Sequence, residues 1–431
     1  MKTAKLYLAT LLLSVFFVLP GIPTAAQKAQ DHIKISGIVK DAETNKPLAN
    51  VSVYVPDTKV GNISNLDGVF SIKVQDSLQA TTIALSHLGY STKQIKIGKQ
   101  DMDNIEVTLS PTEYLLTGAY SGANALNIIK KAIRKIDDNY SQHTNLLTGF
   151  YREVVTKNNH CINVTEGILY TYKTPYSKGD NRDKVQVYKG RQLISPKPED
   201  TLTVKLQGGP NAPIYMDIIK GWELLRGEKI LSDYQIEIDG MTTLDERPHF
   251  VISFTPHDPE TMAKYALYDV ERETKYAPFY GKIYIDEETQ AVSKIDVYLS
   301  MSSKGKATNT ILMKKPSDLR FKPEKLAYSV TYKIKDGVSY LSYVRSELKF
   351  KSKWKRKSPN STYEVISEMV VTDIKEGEVD KIPGKLAFGD RQIFSDKVKD
   401  FYDKNFWESY NIIEPTESLE LAINKLLKQY E

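Results

Sequence analysis

Between Val338 and Phe350 every second position, Val338, Tyr340, Ser342, Val344, Ser346, Leu348 and Phe350, belongs to one mostly apolar or aromatic set, while Arg345, Glu347 and Lys349 fall in the other. Successive side chains of an extended chain point to opposite faces, so this stretch is a long strand with one covered face. The pattern recurs in Tyr328, Val330, Tyr332 and Ile334, and in Ala291, Ser293, Ile295, Val297 and Leu299 set against Val292, Lys294, Asp296, Tyr298 and Ser300. From Phe150 to about residue 372 the chain stays strand-like, with interruptions. Long strands of this kind imply a large, curved antiparallel sheet with one face covered. Tyr numbers 27 and Leu- and Ala-rich helical blocks are scarce, which again favours strands.

Helices are available to cover such a sheet. Leu126, Ile129, Ile133 and Ile136 fall on one helical face, with Lys130, Lys131, Arg134 and Lys135 mostly elsewhere. Asp137 and Asp138 follow at once, which favours docking on a sheet over lying on a membrane. Further helices are predicted at Ile214–Leu225, Ser395–Tyr410 and Thr416–Gln429. Residues 123–431 therefore read as an α+β domain with flanking and C-terminal helices.

Residues 33–110 have a different grain. Val51, Val53 and Val55 alternate with Ser52 and Tyr54, the turn Asn65-Leu66-Asp67-Gly68 precedes Phe70, Ile72 and Val74, and further short runs follow at Thr82–Ser86, Lys93–Ile97 and Ile105–Leu109. About seven short strands with no helical period predict an N-terminal all-β, antiparallel sandwich. Asn65 and Asp67 lack the downstream oxygen ligands of a calcium loop and read as a turn. Pro111, Gly118, Ser121 and Gly122 mark a linker over 111–122.

At the N-terminus Lys2 and Lys5 precede an apolar run from Leu6 through Leu19 and a small-residue Thr24-Ala25-Ala26. That order is a secretory signal, assigned to residues 1–26 and expected to be cleaved. The run of ~14 residues is short of a membrane span. The one cysteine, Cys161, is far from the cleavage region and is read as an inert packed thiol, so neither a lipid anchor nor an internal disulfide is expected. Losing Lys2 and Lys5 lowers the formal charge from +5 to +3, which gives no argument for nucleic acid. The expected location is the periplasm or the periplasmic side of the outer membrane, with peripheral rather than transmembrane association.

The series Ser36-Gly37-Ile38-Val39-Lys40-Asp41, Thr44, Pro47-Leu48, Val51-Ser52-Val53, Gly61, Asn65-Leu66-Asp67-Gly68-Val69-Phe70 and Leu88-Gly89-Tyr90 resembles the carboxypeptidase-regulatory-like domain found in outer-membrane receptors and other envelope proteins of Bacteroidota. The resemblance implies a transthyretin-like sandwich over 33–110. It implies no peptidase activity, because in the carboxypeptidases this fold accompanies a separate catalytic domain. The segment Tyr280-Gly281-Lys282-Ile283-Tyr284-Ile285-Asp286, turn, Ala291-Val292-Ser293-Lys294-Ile295 looks like a hairpin of the lipoprotein-carrier and outer-membrane lipoprotein-sorting fold. With Phe150-Tyr151-Arg152-Glu153 and Lys189-Gly190-Arg191 it is similar to an uncharacterised envelope domain joined to the same sandwich. This second resemblance implies a half-barrel whose concave face takes an acyl chain or a peptide.

Catalytic signatures are poor. His257-Asp258-Pro259-Glu260 offers the His-x-x-Glu pair of a zinc carboxypeptidase, but no histidine follows Glu260, so the third ligand is missing where it is needed; His249 is the one upstream alternative. His87 has no second ligand nearby and reads as a packed histidine. No nucleophile elbow, phosphate-cradling loop or Cys-x-x-Cys is present. The acids Asp286-Glu287-Glu288, Asp239, Asp245 and Glu246 read as turn and edge residues. No metal or other cofactor is expected.

In Lys349-Phe350-Lys351-Ser352-Lys353-Trp354-Lys355-Arg356-Lys357 an extended chain puts lysines on one face and Phe350 and Trp354 on the other. Two readings stand: contact with an anionic surface, or lysines that keep an exposed edge strand unpaired. For the whole chain, the leading expectation is a non-catalytic envelope binding or assembly protein that holds a lipid, lipoprotein or peptide and meets outer-membrane partners through its sandwich. The alternative is a secreted hydrolase, metal-dependent or glycan-acting, whose acids come together only in the fold.

Overall fold

Seven short strands follow one another: β1 (His32–Asp41), β2 (Ser52–Tyr54), β3 (Gly61–Ile63), β4 (Val69–Gln75), β5 (Thr82–Ser86), β6 (Lys93–Lys96) and β7 (Met102–Leu109). They form a sheet ordered β4-β1-β7 and a second ordered β3-β2-β5-β6. Val51, Val53 and Val55 are buried as their alternation requires, in one core with Ile35, Phe70 and Val107 from the other sheet. The structure is a computed structural model, and it describes residues 31–112, 122–178, 182–206, 208–221, 234–257, 278–302, 304–355, 360–390, 392–400 and 406–430. The expected signal at 1–26, most of the expected linker and Glu260 lie outside these.

One seam corrects the all-antiparallel expectation: β1 and β7 run parallel, with Val39 opposite Val107 and Asp41 opposite Leu109. Alternation fixes the two faces of a strand but says nothing about the direction of its neighbour. At Gly37 the β1 backbone approaches Ile105 so closely that a Cβ has no room.

The Asn65 turn does two jobs. Its side-chain oxygen accepts from the amides of Asp67 and Val69, both at 2.9 Å, which holds the turn. Its Nδ2 donates to the carbonyl oxygens of Glu414 at 3.2 Å and Pro415 at 3.0 Å, and the Asp67 carboxylate accepts from the Glu417 amide at 2.8 Å. The sandwich thereby grips the C-terminal segment, and both residues are engaged as in the turn reading. Asn65→Ala removes both sets of bonds and is expected to cost about 1–3 kcal/mol. The check is a lower urea midpoint together with faster proteolysis around residues 411–416.

The larger part is built on β8 (Asn145–Lys157), β9 (His160–Lys173), β10 (Lys184–Ile194), β12 (Tyr234–Leu244), β13 (Arg247–Pro256), β14 (Phe279–Asp286), β15 (Val292–Leu299), β17 (Leu319–Lys335), β18 (Val338–Trp354) and β19 (Ser361–Glu376), with β11 (Lys205–Leu206) and β16 (Leu312–Lys314) pairing apart. These ten make one antiparallel sheet in the order β12-β13-β14-β15-β17-β18-β19-β8-β9-β10, and the short β20 (Lys399–Asp400) adds to β10 in parallel. Register shifts interrupt β8–β9, β9–β10, β12–β13, β14–β15, β17–β18 and β8–β19, and such bulges bend a sheet. An in-register apolar row runs from Tyr151 on β8 through Met369, Val344, Val330 and Ile295 to the β14 and β13 strands. On this concave face lies the main core, and α1 (Gly122–Arg134), followed by the single turn α2 (Ile136–Asn139), buries Ala125, Ile129 and Ala132 in it, with Leu126 and Ile133 packed alongside.

Helical cover is thinner than expected. The predicted helix at Ile214–Leu225 is two single turns in its described part, α3 (Ala212–Tyr215) and α4 (Ile218–Gly221), parted where Asp217 turns inward to the sheet. In its described part the predicted helix at Ser395–Tyr410 is a 3-10 turn at Ser395–Lys397, then β20, and a turn at 406–409. Phe394 packs on Tyr151 on the concave face at 5.3 Å between ring centroids, whereas Trp407 meets Phe150 on the opposite face at 5.4 Å. Residues 399–400 pair with the β10 edge as a strand, and that pairing displaces a helix there. Val398 sits where a Cβ on Gly190 would lie, which explains that glycine in Lys189-Gly190-Arg191. After α5 (Lys304–Ile311) the expected last helix is present as α6 (Glu417–Leu427), capped by Thr416, whose Oγ1 accepts from Leu419 N at 3.1 Å.

Candidate functional site

Next to the apolar row on the concave face runs a different one. Glu153 on β8 faces Ser367 on β19, Ser367 faces Ser346 on β18, Ser346 faces Tyr328 on β17, and Tyr328 faces Val297 on β15. Two residues further along the strands the row is apolar again: Val155, Val365, Leu348 and Leu326. Directly opposed residues share a face, so these rows form a floor with a polar stripe between apolar ones.

Above that floor is a cavity of about 520 Å³. Its walls come from Thr201, Leu202, Val204, Lys205 and Leu206, from Ala212, Tyr215 and Met216 around α3, from Ile311 at the end of α5, and from Asp390 and residues 392–396. This volume is within the range of small-molecule sites. Ile194, Tyr215 and Ile393 line it and are 38%, 54% and 51% exposed, so they stand where it opens to solvent. Among the described lining residues the carboxylates are Glu153, Asp200, Asp390 and Asp396, against the single ammonium of Lys205.

Glu153 is the ionisable group on the floor. It lines the cavity and is half-buried; burial raises its carboxyl above the ordinary range, with the Tyr151 hydrogen bond acting the other way. The Tyr151 hydroxyl donates to Glu153 Oε2 at 3.4 Å. By contrast Asp390 accepts from Asn211 at 2.8 Å and from the Tyr215 hydroxyl at 2.5 Å, and Asp200 accepts from Ser195 at 2.7 Å.

A buried polar cluster fastens the α3–α4 wall to the sheet. Asp217 accepts from the Tyr332 hydroxyl at 2.6 Å, the Tyr176 hydroxyl at 2.8 Å and the Lys173 ammonium. Lys220 donates to Asp183 at 2.7 Å and to the Thr174 carbonyl at 2.6 Å. All four charged groups are almost wholly buried. Burial, with the Lys173 ammonium beside it, pushes the Lys220 amine down to about 8 against the pull of Asp183. Burial acts to lower Lys173 as well, but Asp217 and Asp183 outweigh it and raise that amine. Two paired charges of each sign with satisfied hydrogen bonds make a structural anchor.

The opposite face carries another register row: Arg191, Glu166, Arg152, Glu368 and Arg345 alternate in sign across β10, β9, β8, β19 and β18. Arg152 reaches Glu166 at 2.7 Å and donates to the Ile413 carbonyl at 2.7 Å, which holds the C-terminal segment against the sheet. Each residue of Phe150-Tyr151-Arg152-Glu153 thus serves a separate purpose.

The sequence candidates fall as follows. His257 ends the described part of its stretch and its pair with Glu260 lies outside the described residues. His249 is buried, with Nδ1 against the Arg247 carbonyl at 2.9 Å and Nε2 against Ser293 Oγ at 2.8 Å. Among the described residues no group of three or more His, Cys, Asp or Glu is placed to hold a metal. Asp286 accepts from the amides of Glu288 and Thr289 in its turn, and Asp239 pairs with Lys282 at 2.9 Å. Burial raises the Cys161 thiol to about 11, as an inert thiol requires. In the basic segment, Lys349, Lys351 and Lys353 share the face of Arg345, while Phe350 is buried on the other, stacked on Tyr363 at 5.2 Å. Trp354 packs against the apolar cluster of that other face and is no part of the lysine surface. Arg356 and Lys357 lie outside the described residues. In the sequence Glu153 stands out only as part of Phe150-Tyr151-Arg152-Glu153, with no site role, and its serine row does not stand out at all.

Residues 35–118 match the model of the CarboxypepD_reg-like domain, so the family expected for the N-terminal part is borne out. No curated protein matches the chain. Similar solved structures include a LolA superfamily protein from Nitrosomonas europaea, at 12% identity over 62% of this chain and 99% of that one with a TM-score of 0.22. Another is a DUF1329 family protein from Desulfovibrio piger, at 10% identity over 58% of this chain and 93% of that one with a TM-score of 0.23.

Proposed function

We propose that the chain is a cell-envelope binding protein whose concave cavity holds an amphiphile, the apolar chain along Val365, Leu348 and Leu326 and a hydrogen-bond-donating head (ammonium, amide or hydroxyl) at Glu153 and Ser367. The observation that carries this reading is the polar row set between two apolar rows under a cavity of about 520 Å³. A purely apolar ligand would leave Glu153, Ser367 and Ser346 without exchange for their water, and an anionic head would meet the carboxylates of the walls. Envelope location rests on the secretory signal of the sequence. Among the described residues no helix is long and apolar enough to cross a membrane.

Ser346→Trp places a large ring in the cavity from its floor. Titration of the purified protein with a fluorescent single-chain amphiphile is expected to saturate at one molecule per chain. In the variant it is expected to weaken at least about tenfold while the thermal midpoint stays put, because the ring enters open space rather than a packed core. Equal binding by both proteins would place the ligand elsewhere and overturn the proposal.

A further inference from the structure

The same sheet face that pairs Arg345 with Glu368 treats charge differently towards its far end. There Arg320 stands opposite Lys353, Lys322 opposite Lys351, and Lys325 opposite Lys349, three cationic pairs in register between β17 and β18. Like charges directly opposed across strands are destabilising. Glu324 reaches Lys351 at 2.8 Å and Glu347 takes Lys325, and Glu364 stands opposite Lys349 on β19, so cations still outnumber acids over this patch. Arg320, Lys322, Lys325 and Lys349 are exposed, and Lys355 follows, also exposed.

The structure removes the ordinary explanation for such lysines. Lysines blunt an edge strand against unwanted pairing, yet β18 is an interior strand bonded to β17 on one side and to β19 on the other as far as Ser352. Nor does the patch fit a single-stranded nucleic acid, which stacks its bases on aromatic rings of the binding face. Here Phe350 is turned to the other face and buried. What remains is an exposed field of cations two strands wide, complementary to a surface of anions.

We propose that the β17–β18 face formed by Arg320, Lys322, Lys325, Lys349, Lys351 and Lys353 docks the protein onto a phosphate-bearing membrane surface. The contact is peripheral and electrostatic: each cation near an anionic bilayer contributes about a fivefold gain in partitioning, and the attraction decays within a Debye length. It stands independently of what the cavity holds.

The test is co-sedimentation of the full chain with phosphatidylcholine vesicles, with and without phosphatidylglycerol, at low and high salt. Binding is expected only with phosphatidylglycerol and at low salt, and the variant K322Q/K349Q/K353Q is expected to lose on the order of 100-fold in partitioning. Each replacement relieves a like-charge pair, so the thermal midpoint of the variant should hold or rise; a fall would show the lysines to be structural and overturn the proposal. Absence of binding to anionic vesicles, or undiminished binding by the variant, would also overturn it. So would tighter binding of a soluble polyanion such as dextran sulfate than of the vesicles, since that identifies a chain rather than a surface as the partner.

Discussion

Replacing Asp217 by Ala is expected to cost about 3–5 kcal/mol of folding stability and to loosen one wall of the cavity. Three donors converge on this carboxylate, the hydroxyls of Tyr176 and Tyr332 and the ammonium of Lys173, and none can reach water where it lies. Removing the acceptor strands all three and leaves Lys173 the longer ion pair to Asp183 at 3.6 Å. Asp217 also parts α3 from α4, so its loss frees Tyr215, Met216 and Ile218, which line the cavity. Urea unfolding should show the full loss for Asp217→Ala and a smaller one for Asp217→Asn, which keeps an acceptor for one hydroxyl. Combining Asp217→Leu with Lys173→Met removes both charges together and is expected to recover part of the loss, as apolar replacement of buried pairs does elsewhere. If Asp217→Ala unfolded within about 1 kcal/mol of the parent, the cluster would be no anchor.

This cluster also shows where the sequence stops being legible. Ile214, Ile218 and Ile219 surround Asp217 with the spacing of an amphipathic helix. What breaks that helix is a set of partners at positions 173, 176 and 332, brought near only by the sheet. The strands were legible because period two is local: the alternation of residues 338–350 reports the faces of β18 without reference to any other strand. Register is not local. Ser346 and Ser367 carry no local signal until pairing sets them in line with Glu153, and the cationic pairs of β17 and β18 appear only once Arg320 is known to face Lys353. The contacts of Phe394 with Tyr151 and of Trp407 with Phe150, on opposite faces of the sheet, are likewise non-local and leave no periodic trace.

Glu153→Gln should separate recognition of the ligand's head from retention of its chain. A long-chain amine bound to the parent places its ammonium on a carboxylate removed from water, and truncating such a charge pair costs about 2–4 kcal/mol, so the variant is expected to bind that amine about 100-fold more weakly and the corresponding alcohol nearly as well as before. The pH dependence carries two opposite slopes. Burial raises the Glu153 carboxyl above its ordinary 4.5, so between 4.5 and that raised value the folded, unliganded chain holds a proton that the unfolded chain has lost. The stability that goes with it is full below 4.5 and is lost as pH rises through the raised folded value, and Glu153→Gln should therefore be the more stable protein at neutral pH. Affinity for the amine runs the other way and grows over the same interval, because only the ionised carboxylate attracts the ammonium. Unfolding midpoints and amine titrations across that interval measure both slopes on one residue. Amine affinity that stays flat with pH, or is untouched by Glu153→Gln, would remove the head group from Glu153 while leaving the cavity free to hold a chain.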